Sequence, residues 1–299
     1  MQNSNSASDA PIVEVRGLTK KFGNTEILHG ISFTIPTGRI YGLIGHNGAG
    51  KTTAINALLG LTDYQGDVRV LGLEPFANRA ELMRDTAFIS DVASLPRFLK
   101  VSQMLDMMVG IHPNFIKQKA LDMLEDTDIR ANAKIKSLSK GMLAQLHLAV
   151  VMAIDAKLLV LDEPTLGLDI TYRKKFYRRL MEEYMSENRS ILITTHQVDE
   201  IEFLLTDLIF IRDGDIVLDA SMENISSRFS QVLVAPQNVE QAQANKPIFS
   251  VKQLGQNIMI FDGLDLGTAQ EFGEVSTPSI SDLFVALMER DPKNKGVAQ

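Results

Sequence analysis

The sequence predicts an α/β fold: a mostly parallel sheet covered on both faces by helices, followed by a small α+β unit. Three observations carry this. Strand patterns alternate with helical patterns along the first two thirds of the chain, the signature of a sheet wrapped by helices. The run Leu158–Leu161 is continuously apolar and ends in two acids, as a central parallel strand does. After about Ser221 the composition changes, and Gln and Asn cluster between Gln231 and Gln256.

Taken in order, Ile12–Val15 and Ile31–Ile35 alternate apolar and polar residues with the period of a half-buried strand. Ile40–Ile44 is a strand that runs into a glycine-rich turn, and Lys51–Leu61 reads as a helix. Val68–Leu71 and Thr86–Ser90 are further strands. From about Val101 to Val151 apolar residues recur at spacings of three and four, the helical pattern. After the strand Leu158–Leu161 come a long helix over Ile170–Asn188, a strand Ser190–Thr195 and a helix Asp199–Leu205. Leu208–Ile211 and Asp215–Leu218 flank Asp213-Gly214, a hairpin signal. In the final unit, short strands Gln231–Ala235, Phe249–Gln253 and Asn257–Phe261 surround a small helix. Ser279–Arg290 closes the chain's predicted elements as an amphipathic helix, with Ile280, Phe284 and Leu287 on one stripe.

A length of 299 residues fits two domains, or one large domain with an appendage. The expected division is a disordered tail at 1–11, a main domain at 12–220 with a helical part at about 92–155, and a small accessory domain at 221–299. The absence of cysteine excludes disulfides, thiolate metal sites and cysteine nucleophiles. The net charge of −7 weighs against nucleic acid as a partner. No apolar run reaches ~18 uncharged residues, so no transmembrane helix is expected. Met1–Pro11 is rich in Ser, Asn and Ala and lacks a basic segment followed by an apolar one, so it does not read as a signal peptide.

Two motifs carry chemistry. Gly45-His46-Asn47-Gly48-Ala49-Gly50-Lys51-Thr52, followed by Thr53, matches G-x-x-x-x-G-K-[ST] with a strand before it and a helix after it. The glycines let backbone N–H groups turn inward around phosphates, and Lys51 adds a cation. Thr52 offers its hydroxyl to Mg²⁺, and the helix N-terminus adds the positive end of its dipole. This loop alone says only that the chain binds a nucleoside triphosphate. The second motif is Leu158-Leu159-Val160-Leu161-Asp162-Glu163, which ends an apolar strand in two carboxylates. Asp162 is placed to hold Mg²⁺, and Glu163 to polarise a water aimed at the γ-phosphate.

Between the two lies Leu138-Ser139-Lys140-Gly141-Met142, opening a helix. Here the chain resembles the ATP-binding-cassette (ABC) ATPases, whose signature loop is LSGGQ, and the likeness covers about residues 12–220. The resemblance implies a phosphate-loop core with an antiparallel β subdomain and a helical subdomain, plus the small C-terminal domain. It also implies an ATPase with ATP and Mg²⁺ at the site. In that family the signature loop of one subunit caps the ATP held by the other. Carried over, Ser139, Lys140 and Gly141 would meet the γ-phosphate in trans, with Lys140 and Met142 replacing the family's usual Gly and Gln. A serine at a helix N-cap followed by glycine is in itself an anion site.

Other positions follow the same family order. Phe22 occupies the place of the aromatic that stacks on adenine, though taken alone such a residue is more often core. Leu168-Asp169 resembles the loop that links the two sites across the dimer. His196, after Thr194-Thr195, matches the switch histidine that touches the γ-phosphate. One departure stands out: Asp91 aligns with a glutamine that normally coordinates Mg²⁺ and senses the membrane subunit. An aspartate can also bind the ion, but it brings a second negative charge close to the γ-phosphate. Met104, Met107 and Met108, with Leu105 and Val109, lie where this family docks its membrane subunit, and they read equally as helix core.

The resemblance thus implies an ATP-binding subunit that energises a separate integral-membrane permease, with export favoured. Two copies, or one copy and a second ABC ATPase subunit, would sandwich two ATP·Mg²⁺ at the cytoplasmic face of the inner membrane. Two alternatives are a soluble ABC ATPase acting on ribosomes or DNA, and a regulatory subunit with weak catalysis.

Overall fold

The computed structural model describes residues 10–90, 95–184, 189–253 and 255–289. In chain order, β1 (Val13–Phe22) and β2 (Thr25–Ile35) form a hairpin, and β3 (Ile40–Ile44) leads into α1 (Lys51–Leu58). Next come β4 (Gln65–Val70), the single turn α2 (Arg79–Leu82) and β5 (Thr86–Ile89). The helices α3 (Val101–Ile111), α4 (Lys117–Glu125) and α5 (Lys140–Met152) precede β6 (Leu158–Asp162), α6 (Ile170–Tyr184) and β7 (Ser190–Thr195). β8 (Asp207–Arg212) and β9 (Asp215–Ser221) form a second hairpin. The chain continues through α7 (Met222–Arg228), β10 (Phe229–Val234), α8 (Val239–Ala244), β11 (Phe249–Gln253) and β12 (Gln256–Asp262). The last described elements are α9 (Leu266–Phe272), β13 (Gly273–Ser276) and α10 (Ile280–Glu289).

The central sheet has the order β5-β6-β7-β3-β8-β9. Its pairs are parallel except the β8–β9 hairpin. Every residue of β3, β6 and β7 is buried, which is why these strands read as apolar runs and not as alternating ones. The register is what makes a site. Ile44 lies opposite Thr195, and Asp162 lies opposite Thr194, so three strands end level with one another. In open parallel sheets, ligands bind outside such carboxyl ends.

An antiparallel sheet, β2-β1-β4, packs against α1. Val13, Val15, Leu18, Leu28, Phe33 and Ile35 join Ala54, Ile55 and Leu58 of α1 in one core. The helix is shorter than its sequence pattern predicts. It stops at Leu58 because Gly60, at φ 62°, turns the chain: the Gly60 N–H donates to the Ala57 carbonyl and the Leu61 N–H to that of Asn56. This is the hydrogen-bond pairing of a glycine-terminated helix.

A second expectation fails in kind. The predicted helix Asp199–Leu205 is two 3₁₀ turns, Val198–Glu200 and Glu202–Leu204. Its buried residues Val198, Ile201 and Leu204 recur every third position, the period of a 3₁₀ helix, and three-residue spacing alone does not separate the two kinds. The predicted helix Ile170–Asn188 is described to Tyr184, and Arg290, the end predicted for the last helix, also lies outside the described residues. α7, α9 and β13 were not anticipated in the pattern of the sequence.

The residues beyond β9 do not behave as one body. A four-stranded sheet, β11-β12-β10-β13, has its own core of Val232, Val234, Ala242, Met259, Phe261, Ala269 and Phe272. The final helix α10 leaves that sheet: Ile280, Leu283 and Leu287 are buried in the main core beside Ile44, Val198, Ile201 and Phe210. Among the helical residues weighed as core or docking surface, Met104 and Leu105 are core, Met107 and Met108 are half-buried, and Val109 is 53% exposed. No helix among the described residues is long and apolar enough to cross a membrane.

Candidate functional site

The turn between β3 and α1 is built from glycines for steric reasons. A Cβ on Gly45 would meet the Ile211 carbonyl oxygen at 2.5 Å. Gly48 and Gly50 adopt φ 85° and 108°, in the left-handed region. The loop closes on Lys51, which is 6% exposed and donates from Nζ to the carbonyl oxygens of Gly45 (2.7 Å) and His46 (3.2 Å). Burial holds the Lys51 ammonium below the ordinary lysine range, against the opposing pull of Glu163 and Asp162.

The acids come from the end of β6. Asp162 is 2% exposed, and both its oxygens are engaged by hydroxyls: Thr52 Oγ1 donates to Oδ2 at 2.9 Å, and Thr194 Oγ1 donates to Oδ1. Glu163 turns out of the strand with φ 49°, a conformation uncommon outside glycine. Its N–H is fixed by both oxygens of Thr194, the carbonyl and the hydroxyl, each at 3.2 Å. Its carboxylate Oε2 lies 2.9 Å from His196 Nδ1. Strand register thus brings Thr52, Asp162, Glu163 and His196 together from three separate segments.

These residues line one cleft of about 630 Å³ with Phe22, Ile27, Asn47, Gly48, Gly50, Lys51, Thr53 and Leu166. Phe22 is 56% exposed, so it is a free ring face and not core. The Lys20 ammonium sits over its ring, 4.8 Å from the centroid, while pairing with Asp63 at 2.8 Å. One aromatic face is thereby propped by a cation. An anion-sized cradle, a buried lysine, a carboxylate beside a hydroxyl and an aromatic wall make a nucleotide site in chemical terms.

Comparison with known proteins settles the family. The family description "ABC transporter" matches residues 28–166. The uncharacterized ABC transporter ATP-binding protein YdbJ of Bacillus subtilis is 30% identical over 235 residues, covering 78% of this chain and 76% of that protein. The Nod factor export ATP-binding protein I of Burkholderia lata is 36% identical over 212 residues, 69% of each. The chain belongs to the ABC transporter ATP-binding proteins. A solved ATP-binding subunit of an ABC transporter superposes with a TM-score of 0.65 at 23% identity, over 72% of this chain and 92% of that one, a likeness of fold.

In this ABC subunit the remaining predicted residues lie elsewhere. Ser139 caps α5, accepting from the Met142 N–H at 3.2 Å, and Ser139 and Lys140 are exposed. Asp169 caps α6 through the Tyr172 N–H at 2.9 Å and is also exposed. Ser139, Lys140, Gly141 and Asp169 are absent from the lining of the cleft. His46 and Ala49 belong to the phosphate loop without lining the cleft, and Ala49 is buried. Asp91 lies outside the described residues.

Thr194 was missed by sequence reasoning, although it touches both acids. The only signal was its position one strand-end residue before Thr195-His196, and nothing local says which acid it faces. Ile27 and Leu166 were missed for the same reason: they enter the cleft from neighbouring segments.

Proposed function

We propose that this ABC subunit binds ATP in the cleft walled by Lys51, Asp162 and Glu163, and that two cassettes close face to face over two nucleotides. The reading rests chiefly on the convergence of Lys51, Thr52, Asp162, Glu163 and His196 at one row of strand ends. Phe22 offers its open face to the adenine, a contact that every base can make. Lys51, which now spends its protons on loop carbonyls, would redirect them to phosphate oxygens. The backbone N–H groups at the start of α1 add to that field.

Thr52 Oγ1 and Asp162 Oδ2, 2.9 Å apart, fit Mg²⁺: one carboxylate and one hydroxyl beside substrate phosphates is the oxygen donor set that ion takes. Held there, Mg²⁺ supplies neutralisation of charge on the phosphate oxygens. Glu163 is oriented by its fixed N–H and by His196, and would accept hydrogen from, and aim, the attacking water. Ser139, Lys140 and Asp169, exposed, and Gly141, half-buried, are absent from the lining of their own cleft and suit contact with the nucleotide or loop of a second cassette. That cassette is a second copy of this chain or a second ABC ATPase subunit.

The work done is the powering of a separate integral-membrane permease at the cytoplasmic face of the inner membrane. The likeness to a Nod factor export protein over 69% of the chain supports export. In organisation, we divide the chain into a tail (1–11), the ATPase unit (12–220, helical part about 92–155) and an accessory segment (221–299), whose last helix returns to the core of the ATPase unit.

Glu163→Gln tests the assignment. It keeps the site's shape and removes the base. ATP turnover should fall by about 10²- to 10⁴-fold, the range of a general base, while ATP binding persists and ATP-dependent dimers accumulate on size exclusion. Unchanged turnover would remove Glu163 from the role. Co-purification of the chain with a multi-span protein from detergent-solubilised membranes tests the permease.

A further inference from the structure

Helix α10 lies far from the phosphate loop in sequence but touches it in space. The Phe284 ring packs on the His46 imidazole with centroids 5.0 Å apart, tilted 56°. It also meets Phe210 of β8 edge-on at 5.2 Å. His46 is not a passive neighbour, because its carbonyl is one of the two that hold Lys51 Nζ. At its other contact, the first turn of α10 reaches the segment that follows His196. Ser281 Oγ donates to Asp199 Oδ1 at 2.5 Å, and the Ile280 N–H donates to Glu202 Oε1 at 3.4 Å.

The far end of the helix is pinned as well. Arg212 donates from one guanidinium nitrogen to the Leu287 and Met288 carbonyls, at 3.0 and 3.2 Å. A cation on the last carbonyls of a helix is favourable on dipole grounds. Arg212 follows Ile211, whose carbonyl is the wall against Gly45. Between these contacts Ile280, Leu283 and Leu287 are buried in the main core with Ile44, the residue that enters the phosphate loop.

We infer that α10 is a brace of the nucleotide site, with Phe284 a positioning residue for the phosphate loop and Ser281 a positioning residue for the segment carrying His196. The inference rests on the ATPase reading of the cleft. Its physical content is that one helix touches both the phosphate loop, at His46, and the segment that follows His196, at Asp199 and Glu202, so that the two hold a fixed spacing before ATP arrives. Preorganisation of this kind lowers the cost of binding and of reaching the reactive geometry. The two contacts act on different steps. Phe284 bears on the loop that binds phosphate, and Ser281 on Asp199, three residues after His196. Because α10 follows the four-stranded sheet directly in the chain, the accessory unit is thereby tied to the site.

The test uses the full chain and two conservative variants. Phe284→Leu keeps an apolar side chain against Phe210 and removes the ring from His46. Ser281→Ala removes one surface hydroxyl. Phe284→Leu should raise both the ATP KM and the directly measured ATP Kd about two- to tenfold, the span of a lost aromatic pair, with kcat held and the melting temperature close to the parent's. Phe284→Tyr, which keeps the ring, should restore both constants. Ser281→Ala should lower kcat about two- to threefold with KM held, as one lost hydrogen bond allows. Wild-type KM, Kd and kcat in both variants would overturn the brace. So would a Phe284→Leu defect that tracks lost stability and is not restored by Phe284→Tyr. Failure of the parent chain to turn over ATP would overturn the ATPase reading instead, and the ATP Kd would still decide the brace.

Discussion

Replacing Thr194 by valine isolates one hydroxyl in the site. Valine matches threonine in shape, so no cavity opens, and the change removes only the hydrogen-bonding group. That hydroxyl donates to Asp162 Oδ1 and accepts from the Glu163 N–H, and Thr194 itself is fully buried. Asp162, 2% exposed, has no water with which to replace the lost donor on that oxygen, while Thr52 still serves the other at 2.9 Å. Losing a hydrogen bond to a buried charge costs about 1.5–3 kcal/mol. The Glu163 N–H keeps its bond to the Thr194 carbonyl, so little is added there. A loss of about 2 kcal/mol lowers the melting temperature by roughly 4–8 °C in a chain of this size class. Thermal melts without nucleotide, followed by circular dichroism, measure this directly. Thr194→Ser should recover most of the loss. A Thr194→Val melt within a degree of the parent would refute the argument that this hydroxyl carries the buried carboxylate.

Two further outcomes follow from particular contacts. Gly45→Ala places a methyl 2.5 Å from a strand carbonyl and 2.8 Å from Ile211 Cγ2, with little room to yield. ATP affinity measured by equilibrium binding should fall about 5- to 150-fold, as a roughly 1–3 kcal/mol overpacking strain at the loop implies. Asp215→Asn tests a pH-dependent tie between β2 and the β8–β9 hairpin, where His29 Nδ1 lies 3.2 Å from Asp215 Oδ2. Asp215 raises the His29 pKa above its ordinary 6.5. A raised folded-state value means the tie stabilises fully below 6.5 and fades as pH rises through that higher value. Asp215→Asn should therefore lower the melting temperature slightly at pH ~5.5 and leave it unchanged well above the His29 titration, at pH ~9. An equal drop at both would show that the contact does not depend on the histidine's charge.

The nucleotide loop was legible because its information is local. Gly45, Gly48 and Gly50 state where the backbone must turn, and Lys51-Thr52 follow at fixed spacing. The acids were legible because a strand buried on both faces reads as Leu158–Leu161 and then must stop at water. The resemblance carried by Leu138–Met142 named the family correctly. The pattern was less able to place boundaries. Helix α1 ends where Gly60 permits a reversed turn, and the 3₁₀ turns after His196 share their three-residue spacing with a helix.

By itself, then, the sequence determined the phosphate loop, the acid-ended strand, the alternation that makes a parallel sheet and the family. All of these depend on neighbours in the chain. The tertiary structure alone decided that Thr194 faces Asp162, that Glu163 meets His196, that Ser139 and Asp169 do not line their own cleft, and that α10 returns to pack on His46. Those contacts join residues that no period connects. They are set by the register of parallel strands and by which core will accept the apolar stripe of Ile280, Leu283 and Leu287. The stripe is readable in the sequence, but its partner is not, because burial is non-directional and several surfaces satisfy it equally until the whole chain has packed.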